Sequence, residues 1–282
     1  MKAKKIIFGI AIAAIAFTSI VSSCKKKTSE EKDSDTSSAY DQSLASTSVN
    51  DLTSIADEVG RSNSVSSFKT TESSALLSSC ASISFDTMAA AKTVTINFGT
   101  TNCLCNDGRY RKGILKLNFT GKYRDSLTVI TITPTNYFVN DNQVLGLKTI
   151  TNKGHNAAHH LVYEINANIS IIKASGAGTV LWNSIRQREW LTGESTPSWL
   201  DDTYSITGNA SGTSASGNTF TSVITSPLIR NMAYACRKHF TAGTLEHTPS
   251  GKATRYIDYG SGACDDIATV TINGNVYTIT LP

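Results

Sequence analysis

The sequence predicts an all-β protein: an antiparallel meander forming a sandwich or one large curved sheet, preceded by a short amphipathic helix. Three observations carry that expectation. From about Ala75 onward, apolar and polar residues alternate and Thr, Ile, Val, Tyr and Phe abound, the pattern of half-buried strands. Gly, Asn and Asp break the alternation at short intervals, as turns require. No segment between the strands has the length and spacing of a crossover helix, which parallel neighbours would need. The 282 residues, 40% hydrophobic and 17% charged with 5 Pro against 19 Gly, suit one globular domain with extensions. They exclude collagen, a coiled coil and a polytopic membrane protein.

Lys2, Lys4 and Lys5 precede an apolar run of 16 residues, Ile6 to Val21. That is shorter than the roughly 20 residues of a membrane-spanning helix, and it reads as the core of a signal peptide over residues 1–23. The run ends Val21-Ser22-Ser23-Cys24, which resembles the lipobox where bacterial lipoprotein precursors are cut and the cysteine is acylated. Val21 stands where Leu is usual, and Ser23 where Gly or Ala is usual. The resemblance implies a lipidated Cys24 as first mature residue; the alternative is plain secretion with Cys24 unmodified. Acyl chains contribute about 0.8 kcal/mol per buried methylene, so a membrane, reached through lipid on Cys24, is the expected partner. Without the three leader lysines the net charge falls from +4 to +1. Phosphate binding needs a concentrated basic surface, so no nucleic-acid partner is expected.

Residues 24–47 are polar, with Lys25, Lys26, Lys27 and Lys32 balanced by Glu30, Glu31, Asp33 and Asp35. Such a stretch cannot offset the entropy of ordering and reads as a flexible tether. Glu30-Glu31 is similar in type to the acidic signal that routes Bacteroidota lipoproteins to the cell surface. Residues 48–60 read as the amphipathic helix, with Ser48 as cap, Val49, Leu52, Ile55, Ala56 and Val59 at helical spacing, and Gly60 at its end. The β domain follows over 75–282. Its candidate strands are 81–85, 93–98, 113–120, 126–133, 144–151, 161–173, 178–191, 203–208, 219–225, 232–246, 253–259, 267–273 and 275–281.

Within this domain the stretch Thr95 to Cys103 echoes Tyr256 to Cys264: an apolar residue, Asn or Asp, an aromatic, Gly, and Cys four residues later. Each copy is preceded by another cysteine, Cys80 or Cys236. The echo predicts two equivalent disulfides, Cys80 to Cys103 and Cys236 to Cys264, consistent with export to an oxidising compartment. Cys105 is left over, as a buried thiol or an alternative partner for Cys80. The NDGRYRKG segment from Asn106, the strand GTVLWNSIRQREW, the segment Asp201 to Gly208 and the closing IDYGSGACDDIATVTING resemble a large group of uncharacterised Bacteroidota envelope lipoproteins. That resemblance spans nearly the whole mature chain and implies an outer membrane lipoprotein, with no activity attached.

His155, His159 and His160 form the only histidine cluster. They lack the helical H-x-x-x-H setting with a glutamate that marks zincins, so a solvated loop is expected and no metal or cofactor. Asp201-Asp202 and Asp265-Asp266 could supply the two carboxylates of glycoside hydrolysis, but adjacent aspartates favour turn chemistry. Along Gly178 to Leu191, period two puts Trp182, Ser184, Arg186, Arg188 and Trp190 on one face and Leu181, Ile185 and Leu191 on the other. The second face reads as core. The first reads as a covered cation–π ladder or as an exposed binding platform for a glycan or another polyanion. Asp86-Thr87-Met88 and Asp125-Ser126-Leu127 are similar to the O-glycosylation acceptor motif of Bacteroidota. The sequence therefore points to a non-enzymatic envelope lipoprotein with a binding or structural β domain, its ligand a glycan or an envelope protein. The alternative is an envelope glycan hydrolase using carboxylates from separate strands.

Overall fold

The computed structural model describes residues 33–61, 76–86, 92–174, 176–196 and 198–282. The signal peptide, Cys24, most of the charged tether, Thr87 and Met88 lie outside these residues. After helix α1 (Ser37–Arg61) come strands β1 (Ser82–Asp86), β2 (Lys92–Asn97), β3 (Cys103–Leu104), β4 (Tyr110–Phe119) and β5 (Val129–Val139). There follow β6 (Asn142–His155), β7 (Leu161–Ile172), β8 (Thr179–Thr192), β9 (Thr203–Thr213) and β10 (Thr219–Asn231). The chain closes with β11 (Ala242–Pro249), β12 (Arg255–Ser261), β13 (Ile267–Ile272) and β14 (Asn275–Thr280). All fourteen belong to one sheet whose order follows the sequence, apart from short β3, which pairs with β4. Every pairing is antiparallel. Of the two expected architectures, the single sheet is the one adopted.

The helix begins eleven residues before the expected Ser48 and runs to Arg61. Residues 37–47 are thus helical and mostly buried rather than tether. Ser37 N–H donates to Asp35 Oδ1 at 2.9 Å, a cap at the true start. Ser48 instead donates its hydroxyl to Leu44 O within the helix. Gly60 does not end the helix; it lets Tyr123 approach, since a Cβ there would lie 2.6 Å from the ring. The helix is not amphipathic in use either: 19 of its 25 residues are buried, among them Asp41, Gln42, Asn50, Asp51 and Asp57. A composition argument treats those polar groups as solvated, whereas the chain beyond the helix supplies Asp41, Gln42, Asp51 and Asp57 with partners.

Those partners show that the sheet wraps around α1. Helix side chains bond to Arg111 on β4, Tyr137 on β5, Trp182 on β8, Arg230 on β10 and Tyr259 on β12. In a flat sheet, β4 and β12 would lie about 38 Å apart at about 4.8 Å per strand, beyond the reach of one helix about 10 Å wide. Register shifts accompany the curl, as where Gly113 (φ +92°) interrupts the β4–β5 pairing. An added Cβ there would meet Asn136 O at 1.9 Å.

The alternation located most strands, but β5 and β10 run longer than expected, and β3 was not foreseen. The expected strand 232–246 is a strand only from Ala242. Its first part is a turn-rich loop holding Cys236. Both disulfides are present: Cys80–Cys103 closes 23 residues and Cys236–Cys264 closes 28. Loops of that size correspond to about 3 kcal/mol each on the chain-entropy model. Cys105 is a buried free thiol.

Candidate functional site

On strand β8 the covered reading of the Trp and Arg face holds, and the apolar face expected as core is the open one. Trp182, Ser184, Arg186, Arg188 and Trp190 point at the helix, at 0%, 6%, 3%, 3% and 1% exposure, while Leu181 and Ile185 are 45% and 61% exposed. The Trp and Arg face is therefore the covered one, and an exposed platform built from these residues is overturned. Apolar side chains normally mark the buried face, but here the partner is a helix rich in Ser and carrying buried Asp41, Asp51 and Asp57. The complementary surface is therefore one of donors.

Each donor has an assigned position along α1. Trp182 Nε1 donates to Gln42 Oε1 at 2.9 Å, and Lys148 Nζ donates to Val49 O at 2.7 Å and to the Thr53 hydroxyl. Arg188 clasps Asp57 with two bonds of 2.6 and 3.0 Å and donates to Tyr123 Oη, its guanidinium lying 4.3 Å from the Tyr204 ring centroid. Arg111, fully buried, bridges Asp51 and Asp107. Near the helix C-terminus, Arg61 pairs with Asp202, which also accepts from Trp190 Nε1 at 3.2 Å and Tyr204 Oη at 2.9 Å.

Burial and pairing set the charges of this interior. Burial opposes the charge on Arg188, but Asp57 and the neighbouring phenols outweigh it and raise the pKa. Burial, with the Arg188 charge adding to it, drives the Lys148 ammonium well below its usual range. Burial raises Glu58 to about 8 and lowers Arg186 to about 10. The sequence reading missed Asp41, Asp51, Asp57, Arg111 and Lys148 in this network. A signal for the longer helix existed: Ala45 continues the 49, 52, 56, 59 spacing backward.

The remaining candidates are dispersed. His155 Nε2 lies 2.9 Å from Glu194 Oε1, and His160 Nδ1 lies 2.7 Å from Glu189 Oε1. His159 sits in the intervening turn with φ +61°. These histidines edge a cleft of about 510 Å³ together with Arg124, which stacks over Trp190 at 4.8 Å. Among the described residues no group of three His, Cys, Asp or Glu side chains converges to hold a metal ion. Asp201 accepts from the Thr196 hydroxyl and Asp265 from Ile267 N–H, both local turn bonds. Asp202 belongs to the buried network instead. Ser126 and Leu127 lie exposed in the β4–β5 loop.

On the outer face, β6 to β9 form a shallow depression of about 390 Å³. The register aligns Leu147, Asn168, Asn183 and Ser211 in one row across the four strands, and Thr149, Asn166, Ile185 and Asn209 in the next. None of its lining side chains is charged. No helix among the described residues is long and apolar enough to cross a membrane. No protein-family model matches the chain, and neither the curated proteins nor the solved structures compared with it give a match.

Proposed function

We propose that this is a lipid-anchored envelope lipoprotein, held at the outer membrane through Cys24, whose β domain is a non-enzymatic binding module for an uncharged glycan. The observation that carries the binding reading is the outer face of β6 to β9. Asn166, Asn168, Asn183 and Asn209 present amides that each donate and accept, as vicinal sugar hydroxyls do, beside exposed Leu147 and Ile185. The absence of charge in the lining favours a neutral ligand over an anionic one. The sequence alone supports the anchor. Nine residue steps separate Cys24 from Asp33, whose carboxylate accepts from Arg255 Nη2 at 2.8 Å. An extended chain of that length spans at most about 32 Å, so the domain would stay close to the membrane.

On a glycan array, Asn183→Ala and Ile185→Ala should each weaken the wild-type hits at least tenfold, with the unfolding midpoint unchanged. Undiminished binding by both variants would place the ligand elsewhere, and an array without hits would end the glycan reading. The anchor is tested separately by metabolic labelling with an acyl-chain analogue. Wild type should carry label and sediment with membranes, whereas Cys24→Ala should be unlabelled and released. Label retained by the variant would refute the lipobox.

A further inference from the structure

The buried guanidiniums are of two kinds: those paired with carboxylates, and those, Arg186, Arg230 and Arg237, whose bonds go to neutral oxygens. Arg188, two residues on, has Asp57, and Arg111 has Asp51 and Asp107. Arg186 is 3% exposed, donates Nη1 to the neutral Ser46 hydroxyl at 2.7 Å, and lies 4.9 Å from the Trp182 ring centroid. Its Nε has no acceptor among the described residues. The titratable group acting on it is the Tyr259 phenol, which burial keeps neutral. A guanidinium taken out of water without a counter-charge is costly by several kcal/mol.

A second orphan lies beside it. Ser184 Oγ is buried on the same face of β8 and has no partner among the described residues. Residues two apart on a strand have Cα atoms about 6.7 Å apart and point to the same face, so the two orphan donors are neighbours on the inner side of β8. The neighbouring rungs carry small residues: Ala210 opposite Ser184 and Gly208 opposite Arg186 on β9. A Cβ at Gly208 would come within 2.9 Å of Arg186 Cα.

We propose that Arg186 and Ser184 form a buried site for one small monovalent inorganic anion of chloride size, enclosed between α1 and the inner face of β8 and β9. The anion accepts from Arg186 Nε and Ser184 Oγ and supplies the counter-charge that no carboxylate provides. The site lies behind the face assigned to the glycan and is independent of it.

Urea unfolding of the full mature domain in sodium chloride against sodium gluconate, at matched ionic strength, tests this. Chloride should raise the folded-to-unfolded ratio, tenfold for each tenfold rise in chloride once the site is near saturation. Gluconate, too large to enter, should not. Arg186→Met should lose the chloride response and be no less stable than wild type in gluconate. Crystals grown in bromide should show an anomalous peak within hydrogen-bonding distance of Arg186 Nε, and this arm decides the matter if the variant does not fold. Superimposable chloride and gluconate curves for wild type, a chloride response surviving in Arg186→Met, or a bromide map without that peak would each overturn the site.

Discussion

Asp57→Ala is expected to lower the unfolding free energy by about 3–5 kcal/mol, because it strands the Arg188 guanidinium inside the wrap. Asp57 accepts both Arg188 bonds and the Tyr123 hydroxyl, and it joins the helix to β8 and the β4–β5 loop at once. Removing the pair as a pair should cost much less: Asp57→Leu with Arg188→Met should be closer to wild type than Asp57→Ala alone, since a matched apolar replacement leaves no buried charge. Equilibrium urea denaturation of the three proteins gives the comparison. A loss below about 1 kcal/mol for Asp57→Ala, the range of exposed pairs, would mean that the helix is not held as described.

Trp182→Ala should cost about 3–5 kcal/mol, the usual range for truncating a buried Trp. The indole is fully buried, is bonded to Gln42 through Nε1, and lies against the Arg186 guanidinium. Trp182→Phe keeps an aromatic ring but loses that bond and part of the buried volume, so an intermediate cost of about 2–3 kcal/mol is expected. The control comes from the other side of the same strand. Leu181→Ala, at a position 45% exposed, should stay within about 0.5 kcal/mol of wild type. Hydropathy alone predicts the opposite ranking. A larger loss for Leu181→Ala than for Trp182→Ala, measured by the same denaturation, would restore the apolar face as the core.

The ranking is reversed because period two tells which residues share a face but not which face is covered. Alternation along 178–191 groups Trp182, Arg186, Arg188 and Trp190 correctly; apolar content assigns Leu181 and Ile185 to the core and leaves the Trp and Arg face either covered or exposed. That rule holds when the covering layer is apolar. Here the covering layer is α1, whose Gln42, Asp51 and Asp57 demand donors, and the Trp182 indole and the Arg111 and Arg188 guanidiniums of the inner face answer that demand. The same misjudgement shortened the helix, since a polar stretch judged alone has nothing to offset its ordering.

Local chemistry was enough for the all-β class, the antiparallel meander, most strand positions and both disulfides. Side-chain alternation, turn residues and a repeated Gly-to-Cys spacing are written along the chain and need no distant partner. The number of sheets, the true length of α1, the inward face of β8, the Asp57–Arg188 and Asp51–Arg111 pairs and the alignment of Asn168 with Asn183 were decided by the tertiary structure. The helix-to-sheet bonds join residues 60 to 140 positions apart in sequence that meet only once the sheet has curled around the helix, and Asn168 meets Asn183 only through the β7–β8 register. A charge buried among apolar neighbours and a charge buried against its counter-ion have the same sequence signature, and only their placement in space tells them apart.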